Sequence, residues 1–237
     1  MPDAVTVASI NLHCGMGTRG QPFDVEAAIL GLDAPVILLQ ETWSPASGAA
    51  DPIESAAKAM GAQVLRAPMR RIADLAHLGI QAPAGPGDLG IAILTTLPAS
   101  DYEVMDLGHI PGDVASRVAQ IITIDLPGGG AVRIGGTHLT HRLASPAQLA
   151  RLLLKLRSGV LPTVIAGDLN MPWQLARLAP GYSPAVRGRT WPAELPLLQL
   201  DHILAGPGAR AVAGTVLPPA GSDHLPVRAD ISIRGLR

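Results

Sequence analysis

One segment in the second half of the chain constrains the fold most, the run Thr163-Val-Ile-Ala-Gly-Asp-Leu-Asn170. Its apolar and β-branched beginning is typical of a strand that is buried on both faces. The run then changes abruptly to a glycine, an acid and an amide. Polar groups at the carboxyl ends of strands face the ligand crevice in α/β sheets, and residues two apart in a strand share a face. We therefore expect Asp168 and Asn170 to face one crevice, with a solvated turn as the alternative.

The first part of the chain has a β-α-β pattern. A β-rich run over Val5–Ile10 is followed by a helix that Asp24 can cap, and then by the apolar run Val36–Leu39. A right-handed crossover between two parallel strands brings their carboxyl ends to the same edge of the sheet. This pattern predicts that Asn11 and Glu41 lie at that edge.

The rest of the chain is richer in strands than in helices. Alternating α and β elements at the start, followed by hairpins, predict an α/β (α+β) fold in which helices cover a pair of mixed sheets. A capping box is expected both at Asp51 and at Ser145, and a surface loop with some helix around Ala73–Leu78 is expected over residues 67 to 89. The stretch from Met171 to Pro196 is irregular. The further predicted strands are Gln63–Arg66, Ile91–Thr95, Arg117–Asp125, Ala131–Thr137, Leu198–Leu204, Val212–Val216 and Pro226–Ile233.

Composition limits the kind of partner. A chain of 237 residues suits one large domain over residues 1–237, and a net charge of −1 provides no basic field for nucleic acid or anionic membranes. Three Trp, two Tyr and one Phe offer few platforms for stacking bases. The single cysteine, Cys14, excludes an intramolecular disulfide. Because neither a signal-peptide pattern nor an apolar run of transmembrane length is present, we expect a cytoplasmic protein without a transmembrane segment. We also expect it to be a monomer.

Polar residues that end apolar strands form a chemically coherent set. Carboxylates such as Glu41 and Asp223 are hard oxygen ligands suited to Mg²⁺, and Asn11 can add a neutral oxygen directly or through water. The sequence contains no His or Cys spacing typical of zinc, no Walker loop and no Gly-x-Ser-x-Gly motif. The full set is Asn11, Glu41, His138, Asp168, Asn170, Asp201, Asp223 and His224.

The motifs around these residues, in their order along the chain, resemble those of the endonuclease/exonuclease/phosphatase superfamily. The resemblance covers about residues 5 to 231. It implies a four-layer sandwich, in which two β-sheets pack face to face with helices outside, and a magnesium-dependent phosphoesterase activity, with Mn²⁺ as an alternative ion. The motifs are Asn11-x-x-x-Gly15, Gln40-Glu41, Thr137-His138-Leu139, Gly167-Asp168-x-Asn170, Leu200-Asp201-His202-Ile203 and Ser222-Asp223-His224.

The resemblance also implies a role for each site residue. Glu41 would be the main metal ligand, with Asn11 and Asp223 beside it. Asp168 would orient and deprotonate the attacking water. The remaining members would bind or support the phosphoryl group: Asn170 and His224 would hold its oxygens, Asp201 would buttress His224, His138 would face the phosphate, and Arg117 resembles a phosphate-contacting arginine.

One position departs from the family pattern. Some nuclease members carry an acid two residues after the Asn, where this chain has His13. On the same strand face as Asn11, His13 would either approach the metal or line the substrate pocket. Three hypotheses remain: a phosphodiesterase or phosphomonoesterase that uses water directly, a DNA or RNA nuclease, and a non-catalytic binding module on the same fold. The low charge and few aromatic residues count against the nuclease.

Overall fold

The computed structural model describes residues 3–73, 86–141, 143–172 and 179–234. Within these residues, two mixed six-stranded sheets form the centre of the molecule. The first sheet has the order β11-β12-β1-β2-β4-β3, and the second has the order β5-β6-β7-β8-β10-β9. The strands are β1 Asp3–Asn11, β2 Val36–Pro45, β3 Gln63–Ile72, β4 Gly87–Thr95, β5 Ala99–Gly108, β6 Arg117–Asp125, β7 Ala131–His138, β8 Thr163–Asp168, β9 Ser183–Pro184, β10 Asp201–Ala205, β11 Ala209–Val216 and β12 Val227–Ile233.

Three apolar cores separate four layers, which confirms the predicted sandwich. The central core joins the two sheets through side chains such as Leu38 of β2 and Ile134 of β7. A second core joins the first sheet to helices α1 (Val25–Leu30) and α2 (Pro52–Met60). The third core packs the second sheet against α3 (Ser145–Arg157), which has leucines along its buried face. No helix of the described part is long and apolar enough to span a membrane.

One parallel strand pair in each sheet determines where polar side chains meet. In the first sheet β1 and β2 run parallel and Asn11 pairs with Gln40, as the β-α-β pattern predicts. In the second sheet β7 and β8 run parallel and His138 pairs with Asp168. Strand β10 runs antiparallel on the other side of β8 and pairs Asp201 with Asp168. The carboxyl ends of the parallel strands thus present the predicted polar residues at one end of the sandwich.

Only one of the two predicted helix caps is present in the structure. Asp51 accepts a hydrogen bond from the Ile53 N–H at 2.9 Å, which is the predicted cap of α2. The capping box predicted at Ser145 is wrong. The N-cap of α3 is Ala144, without a side-chain cap, and Gln148 instead accepts from the Thr140 N–H at 2.9 Å. Gln148 is buried between loop and helix, so it stabilises the loop after β7 rather than the helix end.

Two strands at or near sheet edges differ from the predictions. Residues 67–72, expected in a loop, continue β3, with an irregularity in its pairing to β4 between Pro68 and Arg70. Strand β5 was not predicted, because its exposed, polar side chains lack an apolar signal. In addition, β10 begins at Asp201 rather than Leu198. The helix expected around Ala73–Leu78 lies almost wholly outside the described residues.

Candidate active site

The two sheets meet at a shared polar contact made by Asn11, at the end of β1. Its amide nitrogen donates to Glu41 Oε1 and to Asp168 Oδ2, at 3.1 Å each. Its amide oxygen accepts the His13 backbone N–H at 2.9 Å. Asn11 is 1% exposed, so these bonds are shielded from water. In this arrangement Asn11 ties two carboxylates together, whereas the sequence suggested an oxygen ligand for a metal.

A buried carboxylate, an imidazole and a second carboxylate are neighbours where β8 and β10 of the second sheet meet the loop before β12. Asp201 Oδ2 is 2.8 Å from His224 Nδ1, and His224 Nε2 is 3.8 Å from Asp168 Oδ2. Because a carboxylate only accepts, Nδ1 carries the proton and Nε2 faces Asp168. This is the support of His224 by Asp201 that the sequence resemblance implied as a role.

The charges of these groups depend on their burial and on one another. Burial lowers the pKa of His224, but the charge and hydrogen bond of Asp201, with the charges of Asp168 and Asp223, raise the pKa to about 10. His224 is therefore a cation at neutral pH. Burial raises the pKa of Asp168 to about 7, although His224 and the bonds from Asn170 and Asn11 act in the opposite direction. A carboxyl group with this pKa can exchange a proton near neutral pH.

Asn170 and His138 form a second pair beside Asp168. Asn170 Nδ2 donates to the Leu139 carbonyl at 2.9 Å and lies 3.0 Å from His138 Nε2. Because the carbonyl fixes the amide orientation, His138 Nε2 must be the acceptor. Burial and the nearby positive charges hold the pKa of His138 well below its usual range. His138 is therefore a neutral base that lies 3.6 Å from Asp168 Oδ2 and 3.9 Å from Glu41 Oε1.

The backbone is strained at three residues of this site. His13, Glu41 and Asn170 have φ values of 44°, 46° and 49°, in the left-handed region that non-glycine residues rarely adopt. Glu41 sits where the pairing of β2 with β4 is interrupted, between Leu39 and Thr42. Strained backbone persists where the surrounding fold enforces it, and it clusters at functional sites.

Two places in the site offer donors for a cation. Ligand atoms of Asp168, Asp201 and His224 lie within 4.8 Å of one another. Here His224 donates from Nδ1 to Asp201 and turns Nε2 toward Asp168 at 3.8 Å, so the charged imidazole already lies between the two carboxylates. Glu41 and Asp223 are different, because their carboxylates are 21% and 18% exposed and face the cavity. Hard carboxylate oxygens open to the cavity fit Mg²⁺ or Mn²⁺.

Arg117 and His13 line the same cavity, as the sequence suggested, but each already has a partner. The Arg117 guanidinium, 4% exposed, donates to Asp113 through Nε at 2.9 Å and through a terminal nitrogen at 2.6 Å. His13 Nδ1 lies 3.0 Å from the Met16 carbonyl and 3.5 Å from Asp223 Oδ1. The cavity has a volume of about 540 Å³, within the usual range for small-molecule sites.

Sequence reasoning did not predict two supporting contacts. Asp113 holds Arg117, and the signal available was an acid four positions before the arginine. Trp191, in the stretch read as irregular, donates from Nε1 to Asp223 Oδ2 at 3.2 Å, and its ring lies 6.4 Å from that of His224. An isolated Trp among glycines and prolines was the signal for this second residue. Both residues orient charged groups of the site.

Comparisons with known proteins show the family and agree with the fold. Residues 8–224 match the family model described as "Endonuclease/Exonuclease/phosphatase family". A search of curated proteins gave no match. A family protein from Bacteroides thetaiotaomicron is similar in structure, with a TM-score of 0.74, 18% identity and complete coverage of both chains.

Two further solved structures carry functional names. The catalytic domain of human Nocturnin with bound sulfate has a TM-score of 0.72 and 18% identity, over 98% of this chain and 94% of that one. A mannosyl-6-phosphatase from Bacteroides thetaiotaomicron has a TM-score of 0.73 and 16% identity, over 97% of this chain and 100% of that one. At these identities the two neighbours establish a shared fold.

Proposed function

Since the chain belongs to the endonuclease/exonuclease/phosphatase family, whose members hydrolyse phosphate esters, we propose that it is a Mg²⁺-dependent phosphoesterase acting by direct attack of water. The substrate is a phosphomonoester or a phosphodiester. A DNA or RNA nuclease and a non-catalytic binding module are the alternatives that the experiment below must distinguish.

The charge balance of the cavity carries this proposal. Its two strong cations are already neutralised, Arg117 by Asp113 and His224 by Asp201. Among the described residues, no Lys or Arg pairs with the carboxylates that remain, Glu41, Asp168 and Asp223. A phosphate anion would be repelled by these groups unless a cation lay between them.

The two partly buried carboxylates at the cavity would hold that cation. Glu41 and Asp223 would bind Mg²⁺, with Mn²⁺ as an alternative ion of the same ligand preference. When bound, such an ion supplies positive charge to the phosphoryl oxygens. Trp191 keeps one oxygen of Asp223 oriented, which reduces the side-chain freedom lost when a ligand binds.

The chain's own residues would then position and move the proton of water. Asp168, fixed by bonds from Asn11 and from the Asn170 N–H at 2.8 Å, would accept the proton from the attacking water. His224, held as a cation by Asp201, would donate to a phosphoryl oxygen or protonate the leaving group from Nε2. In-line placement of water and phosphorus would raise the rate further, because the reacting atoms are already oriented.

A substrate panel with controlled metal tests the proposal. Chelator-treated protein is assayed with p-nitrophenyl phosphate, bis-p-nitrophenyl phosphate, inositol phosphates, phospholipids and a supercoiled plasmid, with and without Mg²⁺ or Mn²⁺. We expect metal-dependent release of phosphate or alcohol from a small ester. Nicking that weakens steeply with salt would favour the nuclease. A lack of hydrolysis by folded, metal-loaded protein would favour the binding module.

A further inference from the structure

The loop Trp191–Leu198, beside the cavity, presents apolar side chains to solvent. Its two ends form an antiparallel bridge, in which the Trp191 N–H donates to the Leu198 carbonyl at 3.0 Å and the Leu198 N–H donates back at 2.9 Å. Three of its side chains are largely exposed, Leu195, Leu197 and Leu198, at 68%, 57% and 42%. Glu194 is the one charged residue of this loop, and it pairs with Arg19 at 3.2 Å. Neighbouring exposed apolar side chains next to a cavity indicate a binding surface, whereas single ones are ordinary.

Three side chains of this region, Trp191, Leu198 and Leu200, form an apolar wall of the cavity. Partners in an antiparallel bridge point to the same side, and alternate residues of an extended segment share a face. Gln199, between the two leucines, is buried and does not line the cavity, as this alternation requires. The indole N–H is the one polar hydrogen of the three side chains, and it already donates to Asp223 Oδ2 at 3.2 Å. The apolar wall therefore offers a ligand contact area without a free hydrogen-bonding group.

The apolar wall lies directly beside the proposed cation site. Besides the bond from the indole, Asp223 accepts a hydrogen bond at its backbone carbonyl from the Ala193 N–H at 2.7 Å. Two hydrogen bonds thus hold the loop against a residue that would bind the cation. A phosphoryl group on a cation at Glu41 and Asp223 would have the indole ring as its neighbour. The cavity of about 540 Å³ has room for the alcohol group of an ester next to it.

We propose that the apolar wall determines specificity for the alcohol part of the substrate, and that the substrate is a phosphate ester of an apolar alkyl or aryl alcohol. This proposal rests on the proposed phosphoesterase function. Each methylene group that the wall removes from water should tighten binding by about two- to fourfold. A sugar or nucleoside hydroxyl would lose its hydrogen bonds to water at this wall without gaining a partner.

Binding of n-alkylphosphonates tests the proposal, because they carry a phosphoryl group but no ester bond that can be hydrolysed. The chelator-treated full chain is loaded with Mg²⁺ or Mn²⁺ and titrated by calorimetry with methyl-, butyl-, hexyl- and octylphosphonate below their micelle concentrations. We expect Kd to fall with chain length in the wild type and in Leu154→Ser, a matched control that changes a leucine of α3, 70% exposed and outside the cavity lining. Leu198→Ser should bind octylphosphonate about tenfold more weakly and methylphosphonate unchanged, and Leu198→Met should restore the binding.

Steady-state kinetics provide a second measurement. Leu198→Ser should raise KM for p-nitrophenyl phosphate about tenfold with kcat unchanged, because a contact made equally in the ground state and the transition state is lost. The KM for glycerol phosphate, whose alcohol is polar, should not change.

Three results would overturn the proposal. Metal-dependent binding of methylphosphonate, with the same affinity for every longer chain, would reject the apolar wall while the phosphoesterase function stands. An equal dependence on chain length in wild type and Leu198→Ser would place the alkyl group elsewhere. Sedimentation with phosphatidylcholine vesicles distinguishes a soluble ester from a membrane: metal-independent vesicle binding that Leu198→Ser abolishes would assign the loop to a lipid surface. If no phosphonate binds to the metal-loaded protein, the proposed function fails together with this inference.

Discussion

Asp201 and His224 are joined by a 2.8 Å contact between two side chains that are almost fully buried, at 0% and 7% exposure. Because Asp201 begins β10 of the second sheet and His224 lies in the loop before β12 of the first sheet, the contact links the two sheets. It decides the charge of the imidazole that faces Asp168. Several predictions depend on this imidazole or on its neighbours.

Replacing Asp201 by Asn should lower the pKa of His224. The variant keeps a hydrogen-bonding group but removes the largest of the charges that raise this pKa to about 10, so that burial is opposed mainly by the charges of Asp168 and Asp223. The charged fraction of His224 near pH 7 then decreases and kcat falls by about 10²-fold. Imidazole ¹⁵N shifts across a pH titration measure the change. An unchanged titration would mean that Asp201 does not control the charge of His224.

The contact between Asp201 and His224 also predicts how the free energy of unfolding depends on pH. The pKa of His224 is about 10 in the folded protein and 6.5 in the unfolded chain. The resulting contribution to the free energy of unfolding is fully present below pH 6.5 and is lost as the pH rises through about 10. Urea unfolding of the wild type should therefore show a midpoint that falls at alkaline pH. Asp201→Asn should flatten this dependence, and an equal slope in both proteins would contradict the assignment.

Asp168→Asn should reduce metal-dependent hydrolysis by roughly 10²- to 10⁴-fold, because an amide cannot accept the proton of water. The matched control is Asp88→Asn, which removes an exposed carboxylate paired with Arg71 at 3.4 Å, outside the cavity. Steady-state rates and thermal melts of both variants are compared. Activity retained by Asp168→Asn, in a protein that melts like the control, would exclude Asp168 as the base.

Asp113→Ala should destabilise the protein through Arg117. Both side chains are buried, so the variant leaves an uncompensated guanidinium, which costs about 3–5 kcal/mol. Burial raises the pKa of Asp113, but hydrogen bonds from Arg117 and Thr140 and the charge of Arg117 lower it overall. The pair's contribution is thus present above the unfolded pKa of 3.8 and is lost as pH falls through the lower folded value.

Unfolding in urea at about pH 7 and about pH 3 checks this prediction. The difference in free energy of unfolding between wild type and Asp113→Ala should be largest near neutral pH and smaller in acid. A difference that grows on acidification would show that the carboxylate does not stabilise the guanidinium.

Gly167→Ala should disrupt the end of β8. Gly167 has a φ of +145°, and a Cβ there would lie 1.9 Å from the Thr137 carbonyl of the neighbouring strand. Because the backbone of the neighbouring strand cannot move aside easily, we expect the free energy of unfolding to fall by more than about 4 kcal/mol, or the variant not to fold. Gly129→Ala is the control: apart from its two chain neighbours, no heavy atom of the described residues lies within 4 Å of the added Cβ, and the φ of +88° alone is unfavourable, by about 1–2 kcal/mol. Similar melting temperatures for the two variants would contradict the predicted clash.

The sequence predicts the strand-end residues well because their chemistry changes abruptly where apolar runs stop. Asp168 ends a parallel strand, and the antiparallel strand β10 begins directly beside it at Asp201, so the two acids meet at one edge of the sheet. Strand β5 was missed because an edge strand buries too little to need an apolar pattern. The partners of Asp223 and Arg117 were missed because they come from irregular loops, whose contacts depend on the whole fold.

The orientation of the Asn11 side chain also could not be predicted from the sequence. Asn11 was expected to offer an oxygen, but a backbone N–H two residues later takes that oxygen and turns the nitrogen toward two carboxylates. An amide has a donor and an acceptor side, and only the three-dimensional neighbours decide which side faces a ligand.

The position of a bound cation tests the central claim most directly. Crystals grown with Mn²⁺ can be measured at a wavelength where this ion gives an anomalous difference peak. We predict a peak beside the carboxylates of Glu41 and Asp223, on the cavity side. A peak enclosed by Asp168, Asp201 and His224 instead, or the absence of any peak in this cavity, would contradict the account.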